Sequence, residues 1–366
     1  MHLQVSFGCA SGELLALVGP SGSGKTSVLR CIAGLSAVKH GYIRCGSQTW
    51  LDTDQGINIR PQSRGIGYVF QDYALFPHKT VLENVLLATP SGSHTMRHEN
   101  ALEWLQRTNM HGLQHRKPAA LSGGQKQRVA LARALAREPK VLLMDEPFSA
   151  VDQQTRRKLY RELANLRSEL DVPMILVTHD IHEVQQLADT LCLIHRGNSL
   201  QQGPVSQVFN QPENKLVAKL LGHQNLFSAT VNKHLADATV YSLSQKKTII
   251  GPKAPEFPLG SPVSLLIAQS AISALHHQEA AIKSESPRTS ALHAIDGNSE
   301  PTINLISGTV SNSVQLGDEI SIRLHLHAVP KALRFRLPLH DAQRMSIHPG
   351  ATISVSIKKN GLHVMH

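Results

Sequence analysis

Five short apolar runs punctuate the first two thirds of the chain, at residues 14–18, 67–70, 141–144, 174–177 and 191–194, each bounded by Gly, Pro or polar residues. Continuous apolar runs of four or five residues predict strands buried on both faces. Between them the period changes. Over residues 155–170, Leu159, Leu163, Leu166 and Leu170 recur at spacings of 4, 3 and 4 with Arg and Glu elsewhere, which predicts an amphipathic helix. Strands alternating with helices predict an α/β domain with a mainly parallel sheet over residues 1–222.

After about residue 225 the helical period fades, and β-branched alternation with Gly and Pro punctuation takes over. Residues 276–301 are polar and read as a linker, with the adjacent pair His276-His277 at its start. A short internal repeat flanks that linker. Residues 225–231 resemble 304–310, and 259–265 resemble 349–355. The repeat predicts a small all-β barrel over 223–366, built from related halves 223–275 and 302–366. The longest nearly apolar window, 263–275, is interrupted by Gln269, Ser270 and Ser273, and a spanning helix needs about 20 apolar residues. No basic segment followed by an apolar one opens the chain, so neither a membrane span nor a secretory leader is expected.

Composition narrows the partners. The chain has 366 residues, with 41% hydrophobic, 17% charged and 4% aromatic, and a formal net charge of +10. A basic balance suits nucleic acid, an anionic membrane surface or an anionic ligand. So few aromatics weaken the case for base stacking. The basic residues are spread over both parts without a dense patch in sequence, which reads as a solvated surface near an anionic membrane. The four cysteines (Cys9, Cys31, Cys45 and Cys192) show neither CxxC pairing nor ligand spacing with His, and read as reduced core thiols.

The clearest chemistry follows the first predicted strand. Gly19, Pro20, Ser21, Gly22, Ser23, Gly24, Lys25 and Thr26 fit the phosphate-loop pattern G-x-x-x-x-G-K-[ST], with a helical run from Ser27 behind them. Gly22 and Gly24 let the backbone curl its N–H groups inward, and the helix N-terminus adds a positive end. Lys25 is placed to reach the β- and γ-phosphates of ATP, and Thr26 to ligate Mg²⁺. The run 141–144 delivers Asp145 to the sheet's C-terminal edge as a candidate Mg²⁺ ligand. Strand alternation turns the adjacent Glu146 the other way, free to polarise an attacking water. His179 follows the run 174–177 in the same manner. Leu121, Ser122, Gly123, Gly124 and Gln125 precede a helix predicted over 129–137. Ser122 suits an N-cap there, and the two glycines admit another body.

With this last motif the chain resembles the ATP-binding subunits of ABC transporters. The resemblance covers residues 1–222 and implies a P-loop ATPase fold, a parallel-sheet core with a helical subdomain. It assigns Leu121 to Gln125 as the signature, Gln71 as a sensor of the γ-phosphate and Mg²⁺, Ser149 and Asp152 to the D-loop, and His179 as the switch residue. It also implies a head-to-tail homodimer, in which one subunit's signature closes over ATP held by the other. Integral-membrane permease subunits and an extracytoplasmic solute-binding protein are the implied partners, at the cytoplasmic face of a bacterial inner membrane. Members of the family usually carry a further strand and an adenine-stacking aromatic ahead of the stretch 1–7. Either the true start lies upstream, or adenine is stacked otherwise.

Residues 69–78 with 80–84, and the bridge 189–222, resemble the importers of molybdate, sulfate, polyamines and ferric iron. The repeated β-segment resembles the oligomer-binding-like regulatory domain of that group, where Ser307, Thr309, Lys331, Arg334 and Arg336 are candidate anion ligands. Leu3, Val5 and Phe7, with residues 48–52 and 61–64, look most like the molybdate and sulfate branch. Oxyanion import is therefore expected, with polyamine or ferric-iron import as the alternative. A soluble ATPase of the same type acting on nucleic acid is a further alternative. The single cassette, the absence of zinc-ligand cysteines and the scarcity of aromatics argue against it, so nucleic acid is not expected as a partner.

Overall fold

The apolar runs become central strands for a reason visible residue by residue. The computed structural model describes residues 2–275 and 303–366; the polar stretch 276–301, with His276-His277, lies outside the described residues. Two compact units emerge, Met1–Val208 and Phe209–His366.

The first unit contains strands β1 (Leu14–Val18), β2 (Tyr42–Cys45), β3 (Gln48–Asp52), β4 (Ile57–Asn58), β5 (Ile66–Val69), β6 (Val141–Asp145), β7 (Met174–Thr178), β8 (Thr190–His195) and β9 (Asn198–Pro204). Its helices are α1 (Lys25–Ile32), α2 (Val81–Leu86), α3 (His94–Arg107), α4 (Gly123–Leu135), α5 (Gln153–Ser168) and α6 (Ile181–Leu187). The main sheet runs β5-β6-β7-β1-β8-β9, with all neighbours parallel except the β8–β9 edge pair. In β6, Leu142 and Met144 enter one core while Val141 and Leu143 enter another. In β7, Met174 and Leu176 join the first core, and Ile175 and Val177 the second. Both faces are covered, so no polar residue is tolerated within the run.

Two helices start where capping, rather than periodicity, places them. α4 begins at Gly123, well before the predicted 129. The Ser122 hydroxyl accepts from the Gln125 N–H, and the Gln125 side chain accepts from the Ser122 N–H. This reciprocal box offsets the poor helix propensity of two glycines. α5 begins at Gln153, because the Asp152 carboxylate accepts from the Thr155 N–H at 3.0 Å. Its Leu159, Leu163 and Leu166 are buried as the spacing predicted, while Leu170 packs against the same core from beyond the helix end.

Two short helices, α7 (Val205–Asn210) and α8 (Lys215–Leu220), precede the β-rich part. The strands of the second unit are β10 (Leu226–His234), β11 (Ala238–Ser244), β12 (Lys247–Pro252), β13 (Pro262–Ile267), β14 (Ile272–Leu275), β15 (Ile303–Leu316), β16 (Glu319–Leu326), β17 (Leu333–Pro338), β18 (Thr352–Lys358) and β19 (Leu362–Met365), and a short helix, α9 (Leu339–Arg344), follows β17. One antiparallel sheet runs β12-β11-β10-β13-β19 and the other β17-β16-β15-β18-β14. The order is the same once β10–β14 are matched with β15–β19, except that the fifth strands are exchanged. Two asparagines at matching repeat positions tie the halves together separately from that exchange. Asn304 accepts from the Ile250 N–H and donates to the Ile250 carbonyl, both at 2.7 Å. Asn225 accepts from the Arg334 N–H at 2.8 Å and donates to its carbonyl at 2.6 Å. Each half thus uses an asparagine to bond the edge strand of the other, β12 or β17. The window 263–275 forms β13, a short 3₁₀ turn and β14. Among the described residues no helix is long and apolar enough to cross a membrane.

Candidate functional site

The site is built at the C-terminal edge of the parallel strands. β1 ends at Val18 and the chain turns through Gly22 (φ 78°) and Gly24 (φ 102°) into α1. A Cβ on Gly19 would lie 2.0 Å from the Ile194 carbonyl oxygen, so only glycine fits there. Gly24 caps α1 without a side chain. In α2, α4, α5 and α6, by contrast, side chains of Thr80, Ser122, Asp152 and Asp180 take up an amide. The α1 N-terminus therefore keeps its amides and its positive end for an anion. Lys25 is buried, and its ammonium donates to the carbonyls of Gly19 (2.8 Å) and Pro20 (3.0 Å). Burial lowers its pKa, while the nearby Glu146 and Asp145 pull it back up. The Ser23 hydroxyl inside the loop is buried without a partner, while Pro20 and Ser21 face outward.

β6 brings Asp145 to α1. The Thr26 hydroxyl donates to Asp145 Oδ1 at 2.9 Å, and the Tyr68 hydroxyl lies 3.4 Å from Oδ2. Burial raises the Asp145 pKa, with the Thr26 hydrogen bond opposing. A hydroxyl and a carboxylate side by side are hard oxygen donors, and they fit Mg²⁺, which takes few protein ligands and completes its shell with phosphate and water. Among the described residues no group of three or more His, Cys, Asp or Glu could hold a metal by itself.

Glu146 turns away from Asp145 for a different reason from the one expected. The strand ends at Asp145, and Glu146 adopts φ 45°, a left-handed conformation. The backbone turn, rather than pleat alternation, separates the two carboxylates. The turn is held by the Glu146 N–H donating to the Val177 carbonyl and by the Ser149 hydroxyl donating to the Glu146 carbonyl. Non-glycine residues held there carry strain that the surroundings must offset. The result sets Glu146 Oε1 3.3 Å from His179 Nδ1, just past β7.

Behind this pair, Arg156 of α5 donates to the Val151 carbonyl at 3.0 Å and lies 3.5 Å from Asp180 Oδ2. One guanidinium thus ties the 149–152 loop to the residue after His179. Glu183 is buried, and burial raises its pKa while hydrogen bonds from Thr178 and Tyr160 oppose the shift. Gln71 is exposed beyond the end of β5. The turn that follows it has Tyr73 and Ala74 at positive φ, and Arg133 of α4 donates to both their carbonyls, at 2.8 and 2.7 Å. The motif at 121–125 packs on the 149–152 loop and on α5. A Cβ on Gly123 would lie 2.9 Å from the Ala150 carbonyl oxygen, and one on Gly124 2.7 Å from Thr155 Cγ2.

The structure thus brings Lys25, Thr26, Asp145, Glu146 and His179 to one edge, and places Gln71 and residues 121–125 on elements that Arg133 and α4 join. Sequence reasoning missed Tyr68, Arg133 and Arg156. Arg156, four residues after Asp152 on a helix, carried a readable signal, since that spacing returns a side chain to the N-cap turn. In the second unit, Ser307 is bound to Ser354 at 2.9 Å, while Arg334 and Arg336 share a face of β17. Of the four cysteines, Cys192 is buried and the others are half-buried; all are free.

Comparison with known proteins follows the same lines. The family description "ABC transporter" matches residues 3–149. The chain is 45% identical over 230 residues to the sulfate/thiosulfate import ATP-binding protein CysA 2 of Agrobacterium fabrum, covering 62% of this chain and 65% of that one. It is 40% identical over 244 residues to the sulfate/thiosulfate import ATP-binding protein CysA of Mesostigma viride, covering 66% and 67%. It is 39% identical over 242 residues to the spermidine/putrescine import ATP-binding protein PotA of Shigella boydii, covering 65% and 62%. The match thus spans slightly less than two thirds of the Agrobacterium and Shigella proteins.

Proposed function

The chain belongs to the ABC transporter family of ATP-binding proteins, and from that premise we propose that it is the ATP-hydrolysing subunit of a solute importer. The observation that carries the proposal is the uncapped α1 N-terminus with buried Lys25, facing the Thr26–Asp145 and Glu146–His179 pairs. Gly19 to Thr26 bind the triphosphate. The Lys25 ammonium exchanges the carbonyls of Gly19 and Pro20 for phosphate oxygens, a trade of neutral for charged acceptors that strengthens each hydrogen bond. Thr26 and Asp145, with Gln71, hold Mg²⁺. The ion supplies neutralisation of the phosphate charge when bound. Glu146 takes the proton side of the attacking water, and His179 holds Glu146 or the γ-phosphate in place.

Leu121 to Gln125, with Ser149 and Asp152, serve the ATP of a second subunit in a head-to-tail homodimer. Their shared packing supports moving them as one body. The working assembly includes permease subunits in the membrane and, through them, an extracytoplasmic solute-binding protein, with this chain peripheral on the cytoplasmic face. Likeness to the two CysA proteins, named for sulfate/thiosulfate import, supports an oxyanion such as sulfate as the solute, with molybdate resting on the sequence resemblance alone. Likeness to PotA favours a polyamine as the second reading. Lys25→Ala is expected to abolish ATP hydrolysis while leaving the circular-dichroism spectrum unchanged; full hydrolysis by that variant overturns the proposal. Sulfate, molybdate and spermidine uptake by cells carrying the chain with its neighbouring permease separates the two solute readings.

A further inference from the structure

The second unit carries a charge arrangement that the ATP site does not use. β16 lies between β15 and β17, so that Asn312, Arg323 and Arg334 form one cross-strand row and Val314, Ser321 and Arg336 the next. Cross-strand partners share a face, so three arginines project from the same side of the sheet. Arg323 and Arg334 stand directly opposite each other, and like charges in that position repel. Arg336 pairs with Glu319 at 3.4 Å, and Arg334 donates to the Gln224 side chain at 2.9 Å. Among the described residues no acidic side chain pairs with Arg323 or Arg334. Further cations stand close by. Lys331 has its pKa lowered by burial first, and then by Lys215, Lys219 and Arg334. The fold therefore gathers cations that looked dispersed along the chain.

The arginines line a cavity of about 310 Å³, together with Gln224, Gln269 and Asn312. Its volume lies at the lower end of those that hold small organic ligands. It would take about ten waters at ~30 Å³ each, several times what one tetrahedral oxyanion fills. Guanidinium forks match carboxylate and phosphate groups in pairs of hydrogen bonds, and the amides add neutral donors. A concave, polar wall of this kind suits a discrete small molecule better than a flat lipid surface.

We propose that this cavity binds a small anion bearing two or more phosphate or carboxylate groups, one bridging Arg323 and Arg334 and another reaching Arg336. The site is independent of the ATP-site reading. Its ligand relieves the repulsion between the opposed arginines and so stabilises the second unit.

The test uses the full chain carrying Lys25→Ala, so that the phosphate loop does not compete, with pyrophosphate and sulfate as probes in isothermal titration at low salt. Pyrophosphate should bind, with protection of β16 and β17 amides from hydrogen exchange, and its affinity should fall as salt rises. Arg323→Gln or Arg334→Gln should each weaken it by about tenfold or more, while Lys358→Gln, outside the cavity, should not. Sulfate should bind at least tenfold more weakly than pyrophosphate. Without ligand, Arg323→Gln should leave the thermal midpoint unchanged or raised. The proposal is overturned if pyrophosphate fails to bind at millimolar concentration, if the arginine variants bind it as well as the parent, or if sulfate matches it. A midpoint lowered by Arg323→Gln also overturns it, since the arginine would then be holding the fold.

Discussion

Replacing Asn304 by alanine tests the strand-bonding role assigned to the paired asparagines. The side chain is 5% exposed and makes hydrogen bonds of 2.7, 2.7 and 3.3 Å to the Ile250 N–H, the Ile250 carbonyl and the Ile357 carbonyl. Alanine reaches none of them. Ile250 is itself buried, so its N–H and carbonyl are left without partners at the edge of a sheet. Each buried group left unsatisfied costs about 1–3 kcal/mol, which gives ~2–6 kcal/mol for the pair. Water entering at the edge strand pulls the figure towards ~3 kcal/mol. Asn225→Ala removes the equivalent pair of bonds, but to the backbone of exposed Arg334, and should cost less, about 1–2 kcal/mol. Asn304→Asp keeps the acceptor but sets a carboxylate against the Ile250 carbonyl, and should cost at least as much as alanine. The assay is urea unfolding of the full chain, read by hydrogen exchange at β12 and β15. A local probe is needed because two units need not unfold together. A loss below about 0.5 kcal/mol for Asn304→Ala, the range of ordinary surface changes, refutes the reasoning.

Three further outcomes are expected. Arg64 is 1% exposed and its guanidinium donates to Ile59, Cys31 and Ile32 carbonyls and to Asn58, closing the C-terminal end of α1. Arg64→Met should therefore cost about 3 kcal/mol in urea unfolding, and an unchanged midpoint removes that role. His223 and His363 have pKa values lowered from 6.5 chiefly by burial, so below pH 6.5 the unfolded chain binds more protons than the folded one. Stability should fall as pH drops below 6.5, and stop falling once the depressed native values are passed. The double variant His223→Gln/His363→Gln should flatten that slope, as read by urea midpoints between pH 5 and 7.5. Arg156→Gln should lower kcat for ATP with little change in KM, because it unties the 149–152 loop from Asp180 without touching the phosphate loop; a change confined to KM counts against it.

Residues whose role is set locally were legible in the sequence. The run 141–144 reads as a strand because both of its faces are buried, and Ser122 reads as a cap because its partner Gln125 is three residues away. What escaped depends on distant backbone. The positive φ of Glu146 is imposed partly by Val177, and no pattern at 145–146 announces it. The matching of Asn225 with Asn304 was visible in the repeat. Their partners lie 109 and 54 residues away, in the other half of the repeat, and only the packing of the halves brings them together. The arginine row needed the register of three strands. The turn at 327–332 sets Arg334 opposite Arg323, and a bulge between Val310 and Asn312 sets Asn312 against Arg323 on the other side.

The central claim is that Glu146, turned out of its strand towards His179, performs the water-activating step at a nucleotide held by Lys25 and Thr26. The most direct measurement is nucleotide binding alongside turnover for Glu146→Gln, which keeps the side chain's size and removes its basicity. The account predicts that Mg·ATP binding is retained while hydrolysis falls by about a hundredfold or more. Hydrolysis within about twofold of the parent, with the same binding, would contradict it.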